Sequence, residues 1–137
     1  MAKILVIDDS ESVLTFVKSV LRRESHEVWS MSSGAEALEM LRKERVDLVI
    51  TDIHMPPPDG LEIMRKVRAM KLNVPFIAIS SYQSPSNRFA EARGLGADIS
   101  LGKPFSSTSL VAAVEAALDK NYGANIWNGD ESRTTEQ

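Results

Sequence analysis

The sequence predicts an α/β protein, a doubly wound parallel sheet with helices on both faces, and three observations predict it. Short apolar runs alternate with longer stretches of helical period from one end of the chain to residue 120. The strongest runs are apolar throughout, as in a parallel strand buried on both faces, and do not alternate like a half-wet strand. Five such runs and five helical stretches take turns, which is the pattern of repeated strand–helix units.

The first strand is Ile4-Leu5-Val6-Ile7. A helix follows, with Val13, Val17, Val20 and Leu21 on one stripe and Lys18, Arg22 and Arg23 off it. Val28-Trp29-Ser30-Met31 is a weaker run broken by serine, as expected of a sheet edge, and His26 opens it as a surface residue. Ser33 with Glu36 three residues on is a capping-box spacing, opening a helix that buries Ala37, Leu38 and Leu41. Leu48-Val49-Ile50 is the third strand. Asp59 and Glu62 repeat the capping logic for a helix carrying Leu61, Met64 and Val67, whose Arg65, Lys66, Arg68 and Lys71 form a solvated face. Phe76-Ile77-Ala78-Ile79 is the fourth strand. Ser84-Pro85 places a cap before a proline at the first helical position, and Gly94 and Gly96 interrupt that helix's end. Ile99-Ser100-Leu101 makes the other edge, and a last helix buries Leu110, Val111, Val114 and Leu118. Met31, Met40, Met55, Met64 and Met70 are expected to fill core and loop gaps. Residues 121–137, with Ile126 and Trp127, are a C-terminal tail or the start of a linker; Trp127 either docks back or marks a partner contact.

Composition narrows the function. The 137 residues are 43% hydrophobic and 26% charged, carry a net charge of −3 and contain no cysteine. That length buries a substantial core in one domain. Without cysteine there is no disulfide scaffold, thiolate metal site or cysteine nucleophile. No apolar run reaches a membrane span, and the amino terminus is not a signal peptide, so the expected location is cytoplasmic. A slightly acidic chain is not expected to bind nucleic acid directly.

The polar residues that matter stand at the strand ends. The first strand ends in Asp8-Asp9, the third in Asp52 and the fourth in Ser80-Ser81, while the fifth is followed by Lys103-Pro104. In an open parallel sheet all these ends share one edge, where α/β proteins bind ligands. Clustered carboxylates repel unless a cation joins them, and oxygen-only ligands suit a hard divalent ion, Mg2+ with Mn2+ as a substitute. An ammonium and a hydroxyl facing that ion suit a phosphoryl group, and a carboxylate can itself accept one. Taken singly each feature is commonplace: a strand-end Asp-Asp equally serves as a helix cap.

At these residues the chain resembles the receiver domain of two-component response regulators, the CheY-like family. The motifs are Ile7-Asp8-Asp9, Asp52-Ile53-His54-Met55-Pro56 with Gly60 eight residues past the aspartate, Val74-Pro75 leading to Ser80, and Lys103-Pro104-Phe105. The resemblance covers roughly residues 3–120 and implies a flavodoxin/CheY-like sheet of order 2-1-3-4-5, with residues 1–120 as the receiver. It implies that Asp52 accepts a phosphoryl group from a sensor histidine kinase or phosphotransfer protein, and that a downstream protein is the target. It implies that Asp9, Asp52 and the His54 backbone carbonyl bind Mg2+, with Asp8 helping, and that Ser80 and Lys103 contact the phosphoryl group. A cis Lys103–Pro104 peptide is expected with it. Such a chain catalyses only its own phosphorylation and dephosphorylation.

Ser100 departs from the family pattern, standing where an aromatic residue would swing inward with Ser80. The expected consequence is a smaller or differently routed change on the output face. His54 and Tyr82 fall on the rim of the cleft, and together they are expected to slow water attack on an aspartyl-phosphate. Two rivals fit poorly. A Mg2+-dependent aspartyl-phosphate phosphohydrolase needs an aspartate two residues after its nucleophile, where Ser10 and Glu11 stand, and a flavin carrier's phosphate would be repelled by Asp8-Asp9. The remaining alternatives are a single-domain regulator and the isolated receiver of a longer response regulator.

Overall fold

A computed structural model of the chain describes residues 1–81, 87–97 and 99–119. Its elements are β1 (Lys3–Ile7), α1 (Glu11–Arg23), β2 (Glu27–Met31), α2 (Gly34–Lys43), β3 (Leu48–Asp52), α3 (Gly60–Ala69), β4 (Phe76–Ser81), α4 (Asn87–Gly94), β5 (Ile99–Lys103) and α5 (Ser107–Leu118). The five strands pair in parallel in the order β2-β1-β3-β4-β5, as the resemblance implied.

The continuous apolar runs divide between two cores, because successive side chains on a strand point to opposite faces. Leu5, Ile7, Val49, Phe76 and Ala78 pack with α2 and α3 residues such as Leu38, Leu41, Met64 and Val67. Ile4, Val6, Leu48, Ile50, Ile77 and Ile79 pack with Leu14, Val17 and Leu21 of α1 and Leu110 and Val114 of α5. The two edge strands are the least buried, as their serines foretold. All five internal methionines join the α2–α3 core, Met40 and Met64 buried and Met31, Met55 and Met70 packed at its margin.

Helix starts follow local chemistry. The Ser33 hydroxyl accepts from the Glu36 N–H, and Asp59 and Glu62 make a complete capping box on α3. Ser10 and Ser106 cap α1 and α5 in the same way, two caps that the apolar pattern did not reveal. Ser84-Pro85 lies outside the described residues.

Several local expectations need correction. On α1 the buried stripe contains Leu14 where Val13 was expected, because Val13 sits at the margin of the core. β2 starts at Glu27, and His26 is half-buried with its Nδ1 accepting from the Ala2 N–H at 3.1 Å. β5 runs through Lys103 instead of stopping before it. Arg68 is more than a solvated cation: it donates to the carbonyls of Leu95, Leu72 and Val74 at 2.9–3.0 Å and lies over the Phe76 ring. Lys71 falls beyond α3, with φ 61°.

Candidate phosphoacceptor site

Each site residue is placed by a strand end or by the turn after it. Asp8 extends β1 by one ladder bond, its N–H donating to the Met31 carbonyl. Its Oδ1 then accepts from the Ser10 N–H at 2.9 Å, while Ser10 itself caps α1. The Asp8-Asp9 pair is therefore not the helix cap: a serine next to it has that task. Asp8 is completely buried and Asp9 exposed. Asp52 closes β3 with only 4% of its surface exposed, and its Oδ1 accepts from the His54 N–H at 2.8 Å. Ser80 is fully buried on β4, paired in register with Gly102, its hydroxyl donating to the Ser81 carbonyl at 3.4 Å.

Gly60 shows why the loop after Asp52 has its length. A Cβ there would strike the carbonyl oxygen of Asp52 and lie 2.9 Å from the Ile53 Cα. Only glycine lets α3 start hard against the backbone of Asp52 and Ile53. On the other side Gly34 of α2 receives the proline loop, where a Cβ would meet the Pro58 carbonyl and lie 2.9 Å from the Ile63 side chain. The Pro57–Pro58 and Lys103–Pro104 peptides are both cis, the second as expected.

Lys103 joins the cluster. Its Nζ is 2.7 Å from Asp52 Oδ2 and 3.0 Å from Asp8 Oδ2. One carboxylate oxygen each from Asp8, Asp9 and Asp52 lies within 4.8 Å of the others, a group able to hold a metal ion. Burial pushes the Asp8 carboxyl above its ordinary 3.8 and the Asp52 charge adds to this, while the Ser10 N–H and Lys103 oppose it. For Lys103, burial is the largest single influence and acts downward. Its hydrogen bond to Asp52 and its ion pairs with Asp52 and Asp8 outweigh that and hold the ammonium above 10.5. Asp8 Oδ2 is buried and, despite the nearby ammonium, has no well-formed hydrogen bond. A buried carboxylate oxygen of Asp8 without a hydrogen bond, Asp52 and the exposed Asp9 beside it, and no imidazole or thiolate among the donors fit a hard, oxygen-seeking dication.

His54 is exposed and lines a shallow cavity with Asp9, Met55, Pro56, Asp59 and Arg88. Tyr82 lies outside the described residues. Ile99 and Leu101 pack toward α1 and α5, so Ser100 takes the opposite, α4-facing side of β5, where it is exposed. No local signal in the sequence marked Arg88, whose partners are 29 and 35 residues away.

Comparison with known proteins decides the family. The family model described as the response regulator receiver domain matches residues 4–115. The chain belongs to the response regulator receiver family. This receiver is 36% identical over 121 residues to the alkaline phosphatase synthesis transcriptional regulatory protein PhoP of Bacillus subtilis, a match covering 87% of the chain and 49% of that protein. The chain thus spans about half the length of this curated relative. A chemotaxis response regulator of Vibrio cholerae superposes with a TM-score of 0.79 at 32% identity, covering 86% of the receiver and 99% of that chain. A receiver domain protein of Clostridium thermocellum gives 0.80 at 30% identity, covering 90% and 99%. Among the described residues no helix is long and apolar enough to cross a membrane.

Proposed function

We propose that this receiver takes a phosphoryl group onto Asp52 in a Mg2+-dependent reaction and thereby switches the binding of a partner protein. The observation that carries the reading is the Lys103 ammonium bridging Asp52 and Asp8 at 2.7 and 3.0 Å inside a three-carboxylate cluster. Asp9, Asp52 and the His54 carbonyl would hold Mg2+ directly, with Asp8 helping. Held there, Mg2+ would neutralise the cluster and supply positive charge against which a phosphoryl group can be transferred. A carboxylate oxygen of Asp52 attacks phosphorus, the phosphohistidine N–P bond breaks, and the departing imidazole takes a proton from solvent. Lys103 turns to the new phosphoryl group, and the Ser80 hydroxyl leaves the Ser81 carbonyl to bond it. The chain contributes to no reaction but this one and its hydrolytic reversal.

The donor is a sensor histidine kinase or phosphotransfer protein. Beside Lys103, Val13, Phe16, Pro104 and Phe105 line an apolar hollow, the two rings 6.0 Å apart, where a donor helix can rest. The receiver unit is taken as residues 1–120, in a cytoplasmic protein. A single-domain regulator would act through protein contacts alone. A receiver belonging to a longer regulator would pass the change to an attached effector, and the half-length match to a transcriptional regulatory protein favours testing that second output. The mass of the polypeptide detected in cells by antibody distinguishes them.

Incubation with a small phosphodonor and Mg2+, followed by mass measurement, tests the central claim. Wild type gains one phosphoryl group and Asp52→Ala gains none; a wild type without the gain overturns the reading. His54 and Tyr82 are proposed to hinder water at the rim. The double substitution His54→Ala, Tyr82→Ala should shorten the phosphoprotein's half-life, and an unchanged half-life rejects that role.

A further inference from the structure

One peptide beside the acceptor carries two hydrogen bonds that run in opposite directions. The His54 N–H donates to Asp52 Oδ1 at 2.8 Å, and the carbonyl of the same peptide, that of Ile53, accepts from Arg88 Nη2 at 2.8 Å. The same nitrogen reaches Asp59 Oδ2 at 3.1 Å. Arg88 is the second residue of α4, and Asp59 caps α3. A single guanidinium therefore joins α4, the acceptor loop and the start of α3. Its Nε is buried without a hydrogen-bond partner. Among the described residues both of Arg88's hydrogen bonds come from Nη2, the shorter one going to the Ile53 carbonyl.

We propose that Arg88 is a positioning residue for the phosphoacceptor, and that the Ile53–His54 peptide carries the state of Asp52 through it to α4. The inference rests on the phosphoacceptor reading given above. A cationic donor on the carbonyl polarises the amide and strengthens the N–H at its other end. Arg88 thus holds Asp52 Oδ1 to the peptide and leaves Oδ2 toward Lys103. Phosphorylation turns the carboxylate into an acyl phosphate, whose oxygen is a weaker acceptor than an anion. The bond from His54 weakens, the peptide is freer to turn, and the grip on Arg88 changes with it. The route needs no aromatic residue on β5, where this chain has Ser100.

The test follows backbone amide shifts on adding beryllofluoride with Mg2+, for wild type, Arg88→Met, Arg88→Lys and Asp59→Asn. Methionine keeps the apolar stem and removes the donors, so the variant is expected to fold. In wild type the amides of His54 and of residues 89–91 shift together. In Arg88→Met the amides around Asp52 and Lys103 still shift, residues 89–91 do not, and phosphorylation by a small donor slows about tenfold. Arg88→Lys, which retains a charged donor, recovers most of the rate. Asp59→Asn keeps a capping oxygen and the Arg88 bond to Ile53, and so keeps the α4 response. An Arg88→Met protein whose residues 89–91 still shift as in wild type overturns the proposal. So does an Asp59→Asn protein that loses the response as completely as Arg88→Met, which would make Arg88 a plain strut. A wild type in which no amide near Asp52 responds overturns the phosphoacceptor reading beneath it, a failure recognisably different from the other two.

Discussion

Asp8 and Lys103 illustrate how a site can be built against the stability of the fold that holds it. Asp8 is completely buried, and its carboxyl is pushed above 3.8 because burial penalises the anion more than the Ser10 N–H and Lys103 help it. The charged form is thus a cost to the metal-free protein at neutral pH. In Asp8→Asn that cost disappears, and Lys103 is not orphaned because Asp52 still pairs with it at 2.7 Å. The variant is expected to be more stable than wild type by on the order of 1 kcal/mol in a metal-free buffer at neutral pH. A group whose folded pKa is raised regains its share of stability as pH falls through that value toward the unfolded one. Wild-type Asp8 takes up its proton in that range, so the variant's advantage shrinks as the buffer approaches pH 3.8. Thermal melts in chelator across this range check the prediction, and an Asn variant less stable than wild type at neutral pH contradicts it. Added Mg2+ should stabilise wild type more than the variant, since binding to the folded state alone raises apparent stability. Lys103 has the opposite use of the same rule. Its ammonium is held above 10.5, so what it contributes is complete below 10.5 and lost as pH rises through the raised value.

At the scale of elements, the loop after Asp52 is held from three sides: by Gly60 at the start of α3, by Gly34 of α2 against the proline loop, and by Arg88 of α4. The Gly60 contact bears most directly on Asp52, because a methyl group there must displace the backbone of Asp52 or of Ile53. Gly60→Ala should destabilise the fold by about 1–3 kcal/mol through overpacking, and should slow the proposed phosphorylation because the displaced atoms belong to Asp52 and its neighbour. Urea unfolding and the phosphodonor assay measure the two effects; a variant unchanged in both contradicts the contact. Legibility from sequence followed the same boundary between local and distant causes. Continuous runs such as Ile4–Ile7 and the Asp59–Glu62 box carry their meaning within a few residues, so the strands and the α3 cap were readable. The spacing of Asp8, Asp9, Asp52, Ser80 and Lys103 on strand ends was readable because parallel topology places all such ends together. Arg88 and Arg68 were not. Their partners lie 4 to 35 residues away on other elements or loops, and a cation on a helix looks the same in sequence whether it faces water or a backbone carbonyl. The cap at Ser10 was missed because the adjacent aspartates offered an equally good cap.

For the molecule as a whole, the question is how a change at one sheet edge reaches the face formed by β4, α4 and β5. A large side chain on β5 that fills or vacates space beside Ser80 would move that face as a unit. Here the position is Ser100, exposed on the α4-facing side, and a hydroxymethyl group is too small to fill such a space. The sheet itself is a poor conveyor, since Ile77, Ala78 and Ile79 of β4 are fully buried between two packed cores and close-packed interiors resist continuous deformation. What remains is α4, tied to the loop after Asp52 and to the α3 cap through Arg88, and farther along α3 by the exposed Arg65–Glu91 pair at 3.1 Å. An exposed pair of this kind contributes little energy, so the helix can shift without a large penalty. A phosphoryl mimic should therefore produce its large amide shifts around Asp52 and in the first turn of α4, and small ones at residues 99–101 and along α5. Shift mapping over the whole chain distinguishes this from a concerted movement. Shifts across β4, α4 and β5 as large as those around Asp52 would show that the serine does not limit the switch, and that the face moves through its packing instead of through one guanidinium.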